Sequence, residues 1–253
     1  MKTVVKNSKS IRKKYAVLII SVICTFSLLV GGCILYVNDY YRADTEAIGK
    51  FAENVKVEVN TVADGVVAYG REDAPYGFIF YPGGKVEYTA YDPLMRQLAS
   101  MDVLCVLLEM PCNLAVLDMN RADGICEMFP KIEKWFIGGH SLGGSMAAFY
   151  INENYNLFEG LVLLGAYSSK DLSDKDISVL SVFGSEDMVM NKEKYFKYKN
   201  NLPNSFTEYE IEGGCHAYFG MYGEQKGDGD ARISVNEQIC RTAVYIYGFM
   251  KLR

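Results

Sequence analysis

Residues Gly139-His140-Ser141-Leu142-Gly143 follow an apolar run, Trp135-Phe136-Ile137, and precede a small-residue stretch, Ser145-Met146-Ala147-Ala148. The pattern G-x-S-x-G in that setting is a nucleophile elbow, a tight strand-to-helix turn that lifts a serine hydroxyl above a sheet. Small flanking residues are needed because strand and helix backbones nearly touch there. The turn also points the first amide of the following helix, that of Leu142, at the place where an oxyanion would form.

A serine hydroxyl is a weak nucleophile until a base takes its proton, and the base needs a carboxylate to orient it. The chain holds two histidines. His140 sits inside the elbow next to the serine, so its side chain is expected to diverge from it. His216, beyond the last strand-like run in Ile211-Glu212-Gly213-Gly214-Cys215-His216, is the predicted base. The acid falls between them in the order Ser, Asp, His. Val182-Phe183-Gly184-Ser185-Glu186-Asp187 supplies Asp187, with Glu186 as the fallback. The second oxyanion amide is expected from Tyr81-Pro82-Gly83-Gly84-Lys85-Val86, at Gly84 or Lys85; the sequence leaves the two open.

These groups need a frame that brings strand ends together. Apolar runs at 77–81, 103–108, 135–137, 161–164, 179–183 and 206–211 alternate with helical segments at 91–101, 122–129, 142–152, 192–200 and 234–250. Continuous apolar strands between amphipathic helices predict an α/β fold with a mostly parallel central sheet covered on both faces. A helix over 47–55 and a hairpin of strands 55–59 and 65–69 are predicted before it. The short stretch between the runs at 161–164 and 179–183 leaves no room for a large cap.

The chain has 253 residues, half of them hydrophobic, enough for one well-filled domain. Charge is uneven. Lys2, Lys6, Lys9, Arg12, Lys13 and Lys14 give residues 1–37 a charge of +6, and the rest holds 20 basic against 31 acidic residues, or −11. An acidic globular part argues against a nucleic-acid partner. Tyr15–Val37 is an uncharged apolar run of 23 residues, long enough to span a bilayer. The basic residues before it predict a cytoplasmic segment 1–14, a single transmembrane anchor 15–37, and a domain 38–253 outside. Two other readings remain: a lipoprotein acylated at Cys33 in Leu29-Val30-Gly31-Gly32-Cys33, and a cleaved signal peptide. Of the seven cysteines, Cys105, Cys112, Cys126, Cys215 and Cys240 lie past the run, with no metal-like spacing. They read as small buried hydrophobes, with one disulfide possible after export.

Taken together, Tyr81–Val86, Met110–Ala115, Gly138–Gly144, Gly184–Asp187, Gly213–Gly220 and Tyr222–Gly229 resemble the serine α/β-hydrolases. Within them the chain is similar to a compact bacterial group with an N-terminal anchor, of the dienelactone-hydrolase-like or esterase type. The resemblance implies Ser141 as nucleophile, Asp187 as acid and His216 as base, with no metal or organic cofactor. Cys215 departs from it, standing where Asn is expected. A small-molecule carboxylic ester, cleaved through an acyl-enzyme on Ser141, is the expected substrate. Transfer of the acyl group to an alcohol or amine by the same triad, and a noncatalytic surface binding module, are the rival readings. The aromatic run Ala217–Tyr222 either walls a substrate pocket or packs on the core, and Lys85 and Asn113 are candidate substrate contacts.

Overall fold

A computed structural model describes the backbone of residues 2–253 and the side chains of Tyr15 and of residues 18–253. The side chains of the basic cluster at Lys2, Lys6, Lys9, Arg12, Lys13 and Lys14 lie outside the described residues. The chain forms two compact units, the first ending at Asp39 and the second spanning Tyr40–Arg253. The first unit is one helix, α1 (Lys2–Asn38), whose segment Leu18–Asn38 is long and apolar enough to cross a membrane. Its Thr25 hydroxyl donates back to Ser21 O at 2.9 Å, so this polar group is satisfied within the helix.

The second unit opens with α2 (Thr45–Asn54), capped by Asp44, whose carboxylate accepts the Ala47 N–H. The strands are β1 (Val59–Ala63), β2 (Val66–Tyr69), β3 (Tyr76–Tyr81), β4 (Val103–Leu108), β5 (Lys134–His140), β6 (Gly160–Leu164), β7 (Ser178–Gly184) and β8 (Phe206–Ile211). Between and after them lie α3 (Asp92–Ala99), α4 (Ile125–Met128), α5 (Leu142–Asn154), α6 (Lys192–Tyr198) and α7 (Val235–Lys251). The eight strands form one sheet in the order β1-β2-β4-β3-β5-β6-β7-β8. The six from β4 to β8 are parallel, and only β2 runs against the rest.

Every residue of β4 and β7 is buried, as a sheet covered on both faces requires. The two-residue period sends Phe78 and Phe80 of β3 to one face, with Leu94 and Leu98 of α3 and Ile239, Ile246 and Phe249 of α7. Ile79 and Tyr81 face the other way, against Ala147, Ala148 and Ile151 of α5. Only residues 165–177 join β6 to β7, and no cap domain is inserted there.

The N-terminal hairpin is present but shifted. The strand expected at 55–59 starts at Val59, because Val55 closes α2 by donating its N–H to Phe51 O. The two-residue turn Asp64-Gly65 fixes Ala63 opposite Val66, and from there the register reaches only Val59 opposite Tyr69.

Candidate active site

The elbow forms at the junction of β5 and α5. Ser141 has φ 52° and ψ −121°, a conformation that costs a non-glycine residue about 1–3 kcal/mol. The fold holds it there: its N–H donates to Leu164 O on β6 at 2.9 Å, and its C=O accepts from the Ser145 N–H at 3.1 Å. The motif glycines lie against the end of β3. A Cβ on Gly139 would stand 2.4 Å from Tyr81 O.

The candidate acid comes from the loop after β7. Asp187 is wholly buried. Its Oδ1 accepts the N–H groups of Val189 at 3.0 Å and Met190 at 2.8 Å, which leaves Oδ2 for His216 Nδ1 at 2.8 Å. Glu186 is turned elsewhere, toward Ser185 and the guanidinium of Arg232. With a carboxylate on Nδ1, the imidazole carries its proton there and presents a lone pair at Nε2. That Nε2 is buried and has no hydrogen-bond partner among the described residues. The bond from Ser141 to Nε2 is thus not made in this state; such bonds commonly tighten only with substrate bound. Gly165, at φ 52°, passes directly over the pair: a Cβ there would sit 2.9 Å from His216 Nδ1 and 3.1 Å from Asp187 Oδ2.

His140 does not leave the region. Its ring centroid is 4.4 Å from that of His216 and 5.4 Å from that of Phe219. Its Nδ1 lies 2.8 Å from Tyr91 Oη, which accepts the Gly83 N–H at 3.0 Å. The simplest satisfying arrangement has the Tyr91 hydroxyl donate to Nδ1. Burial, and then the neighbouring His216, hold the His140 pKa well below its usual value. Two imidazoles in contact, tilted 48° to each other, can therefore coexist without a second charge. A folded-state pKa depressed in this way means that the unfolded chain binds a proton below about pH 6.5 that the native state refuses. Stability should therefore fall on acidification, with a His140 contribution approaching about 1.4 kcal/mol per pH unit. In His140→Gln, thermal midpoints measured from pH 7 to 5 should show a shallower slope; a wild-type slope would refute this assignment.

The amides near the elbow sort themselves by what they already bond. Gly83 N–H goes to Tyr91 and Lys85 N–H to Asn113 O at 2.8 Å. The Gly84 and Leu142 N–H groups have no protein acceptor among the described residues. The two residues touch, since a Cβ on Gly84 would meet Leu142 Cδ2 at 2.8 Å.

Two positioning residues are not evident from the catalytic motifs. Gln238 of α7, fully buried, accepts the Cys215 N–H at 3.0 Å and donates to Cys215 O at 2.7 Å, so it clamps the peptide just before His216. Asp228 accepts the Ala217 N–H at 2.8 Å with one oxygen and the Met188 N–H at 3.2 Å with the other, tying the His216 loop to the Asp187 loop. The signal for Gln238 is a polar side chain on the apolar stripe of a helix, beside Ile239, Thr242 and Ala243. Asp228 lies inside the Tyr222–Gly229 stretch, but nothing local marks its partners.

Cys215 lines a cavity of about 160 Å³ together with Ala217, Tyr218, Glu224 and Asp228. Burial, then the Asp228 carboxylate, push its thiol up to about 12, so it stays protonated near neutral pH. All seven cysteines are free. Most of the aromatic run packs inward: Phe219, Met221 and Tyr222 belong to the core, while Ala217 and Tyr218 line the cavity. Among the described residues no group of three or more His, Cys, Asp or Glu side chains could hold a metal ion.

A family model described as "Alpha/beta hydrolase family" matches residues 77–240. A "predicted CIB-like hydrolase" from Thermoplasma acidophilum has a similar solved structure, with TM-score 0.52 and 13% identity. The match covers 76% of this chain and 98% of that one, and at that identity it speaks for the fold. No curated protein matches the sequence.

Proposed function

Because the chain belongs to the alpha/beta hydrolase family, we propose that it is a serine hydrolase that cleaves small carboxylic esters. The observation that carries this reading is the buried Asp187–His216 pair at 2.8 Å beside a serine held in a strained elbow. In the proposed cycle His216 Nε2 takes the Ser141 proton as Oγ attacks the ester carbonyl. The Leu142 and Gly84 N–H groups receive the oxyanion, and Asp187 stabilises the imidazolium. His216 then protonates the departing alcohol. Water, deprotonated by the same nitrogen, hydrolyses the acyl-enzyme and frees Ser141. The short β6–β7 connection favours an open site and short acyl groups.

The same proposal places residues 1–14 in the cytoplasm, 15–37 across the membrane and 38–253 outside. Cys112 is exposed and gives a reporter. A membrane-impermeant maleimide should modify it on intact cells, and modification only after lysis would reverse the orientation.

The test of the activity is fluorophosphonate labelling of the full-length protein, with the adduct mapped by mass spectrometry and nitrophenyl esters of increasing chain length assayed in parallel. A single adduct on Ser141 with turnover of short esters is expected. A folded protein that neither labels nor turns over any ester would sink the reading.

A further inference from the structure

We propose that residues 40–44 are a positioning strap that holds the oxyanion loop and the base loop in register, with Tyr41 as its central residue. The proposal rests on the serine-hydrolase reading, and it concerns a segment outside the matched residues 77–240.

The backbone of Tyr41 docks on one loop and its side chain on the other. Its N–H donates to Lys85 O at 2.8 Å and its C=O accepts the Glu87 N–H at 2.9 Å, a parallel bridge across Val86. These residues directly follow Gly83 and Gly84. The Tyr41 hydroxyl accepts the Lys226 N–H at 3.1 Å, and its ring lies 5.7 Å from that of Tyr222. Lys226 is two residues from Asp228, which ties the base loop to the acid loop. The strap repeats the pattern further on. Ala43 N–H donates to the Glu87 carboxylate at 3.0 Å, and Asp44 N–H to Met221 O at 2.8 Å. Asp44 also caps α2, which fixes the far end of the strap.

The chemistry requires this kind of fastening. The Gly84 amide and His216 Nε2 come from loops far apart in sequence, and they must converge on one carbonyl. A displacement of about 1 Å in such a constellation can cost about a hundredfold in rate. Tyr41 touches neither reacting atom, so it acts through the two loops.

The test uses the full chain in detergent, with Tyr41→Ala and Tyr41→Phe. For Tyr41→Ala, kcat on a nitrophenyl ester and the rate of fluorophosphonate labelling should each fall about tenfold or more, with KM within about threefold of wild type. Tyr41→Phe keeps the ring and loses only the acceptor for Lys226, so it should recover most of that loss. Hydrogen exchange supplies a readout independent of activity: in Tyr41→Ala, peptides covering 82–90 and 214–228 should both exchange faster, by about tenfold. The strap is overturned if kcat stays within twofold of wild type, or if faster exchange is confined to 214–228. If the wild type shows no esterase activity, the hydrolase reading fails by itself, and the exchange arm still decides whether Tyr41 couples the loops. If Tyr41→Ala fails to fold, Tyr41→Leu, which removes the hydroxyl and the ring contact with Tyr222 but keeps side-chain bulk, decides by the same two readouts: faster exchange in both peptides upholds the strap, and wild-type exchange in 82–90 overturns it.

Discussion

Asp187→Asn should lower kcat by about four orders of magnitude while the fold and KM stay close to wild type. The reason lies in how the carboxylate is shared. Its Oδ1 accepts two backbone N–H groups, from Val189 and Met190. An amide at this position must keep its single oxygen facing those two donors, because an NH₂ turned toward them would leave buried donors unpaired. The NH₂ group then points at His216 Nδ1, which becomes an acceptor, and the imidazole proton moves to Nε2. A nitrogen that already carries a proton cannot accept one from Ser141. The variant would therefore be well folded and nearly inert. Steady-state kinetics and the rate of fluorophosphonate labelling, read beside the thermal midpoint, check it. Activity within tenfold of wild type would mean that the Asp187–His216 contact does not set the tautomer.

The second large effect falls on stability. Gly143→Ala should unfold the domain or destabilise it by more than about 4 kcal/mol. A Cβ at this position would stand 2.2 Å from both Tyr81 O and Pro82 O and 2.7 Å from Tyr81 C. All three are backbone atoms at the end of a central strand that pairs on both sides, so no flexible side chain can yield. Either α5 or the end of β3 must move, and with it the elbow and the Gly83–Gly84 loop. Gly248→Ala in α7 is the matched control. Nothing lies within 4 Å of its Cβ position, so alanine should be neutral or stabilising by about 0.5–1 kcal/mol. Thermal unfolding of the two variants side by side gives the answer. A midpoint for Gly143→Ala within a few degrees of wild type would contradict the elbow packing.

The parallel sheet is readable because apolar runs such as Val103–Leu108, six residues long, are too short for a buried helix and fit a strand covered on both faces. The hairpin register was not readable. The alternation at 55–59 is real, but α2 uses Val55 as its cap, and the turn at Asp64-Gly65 sets the pairing outward from itself. At the site, residue type and order identify Ser141, Asp187 and His216 as candidates. What holds them in place depends on contacts between distant loops. Gln238, Asp228 and Tyr91 each bond to backbone groups many residues away, and a backbone N–H leaves no trace in the sequence of the residue that accepts it. The Gly84 or Lys85 alternative is of the same kind: its resolution rests on whether Asn113 O takes the Lys85 amide. His140 shows the converse. Its place beside the serine leads to the expectation that its side chain diverges from that of Ser141, and no hydrogen bond among the described residues joins the two; what the sequence does not show is that its ring lies 4.4 Å from that of His216.

The strap also sets how the second unit responds to mechanical load. Tension entering through residue 40 meets the Tyr41 hydrogen bonds to Lys85 and Glu87 before any strand of the sheet. The first links in line are therefore those that border the Gly83–Gly84 loop, ahead of the strands. A protein tethered to a surface by residues ahead of Tyr40 should lose esterase turnover at forces that leave its fold intact. The same protein tethered through Arg253, at the end of α7, should keep its turnover under that load.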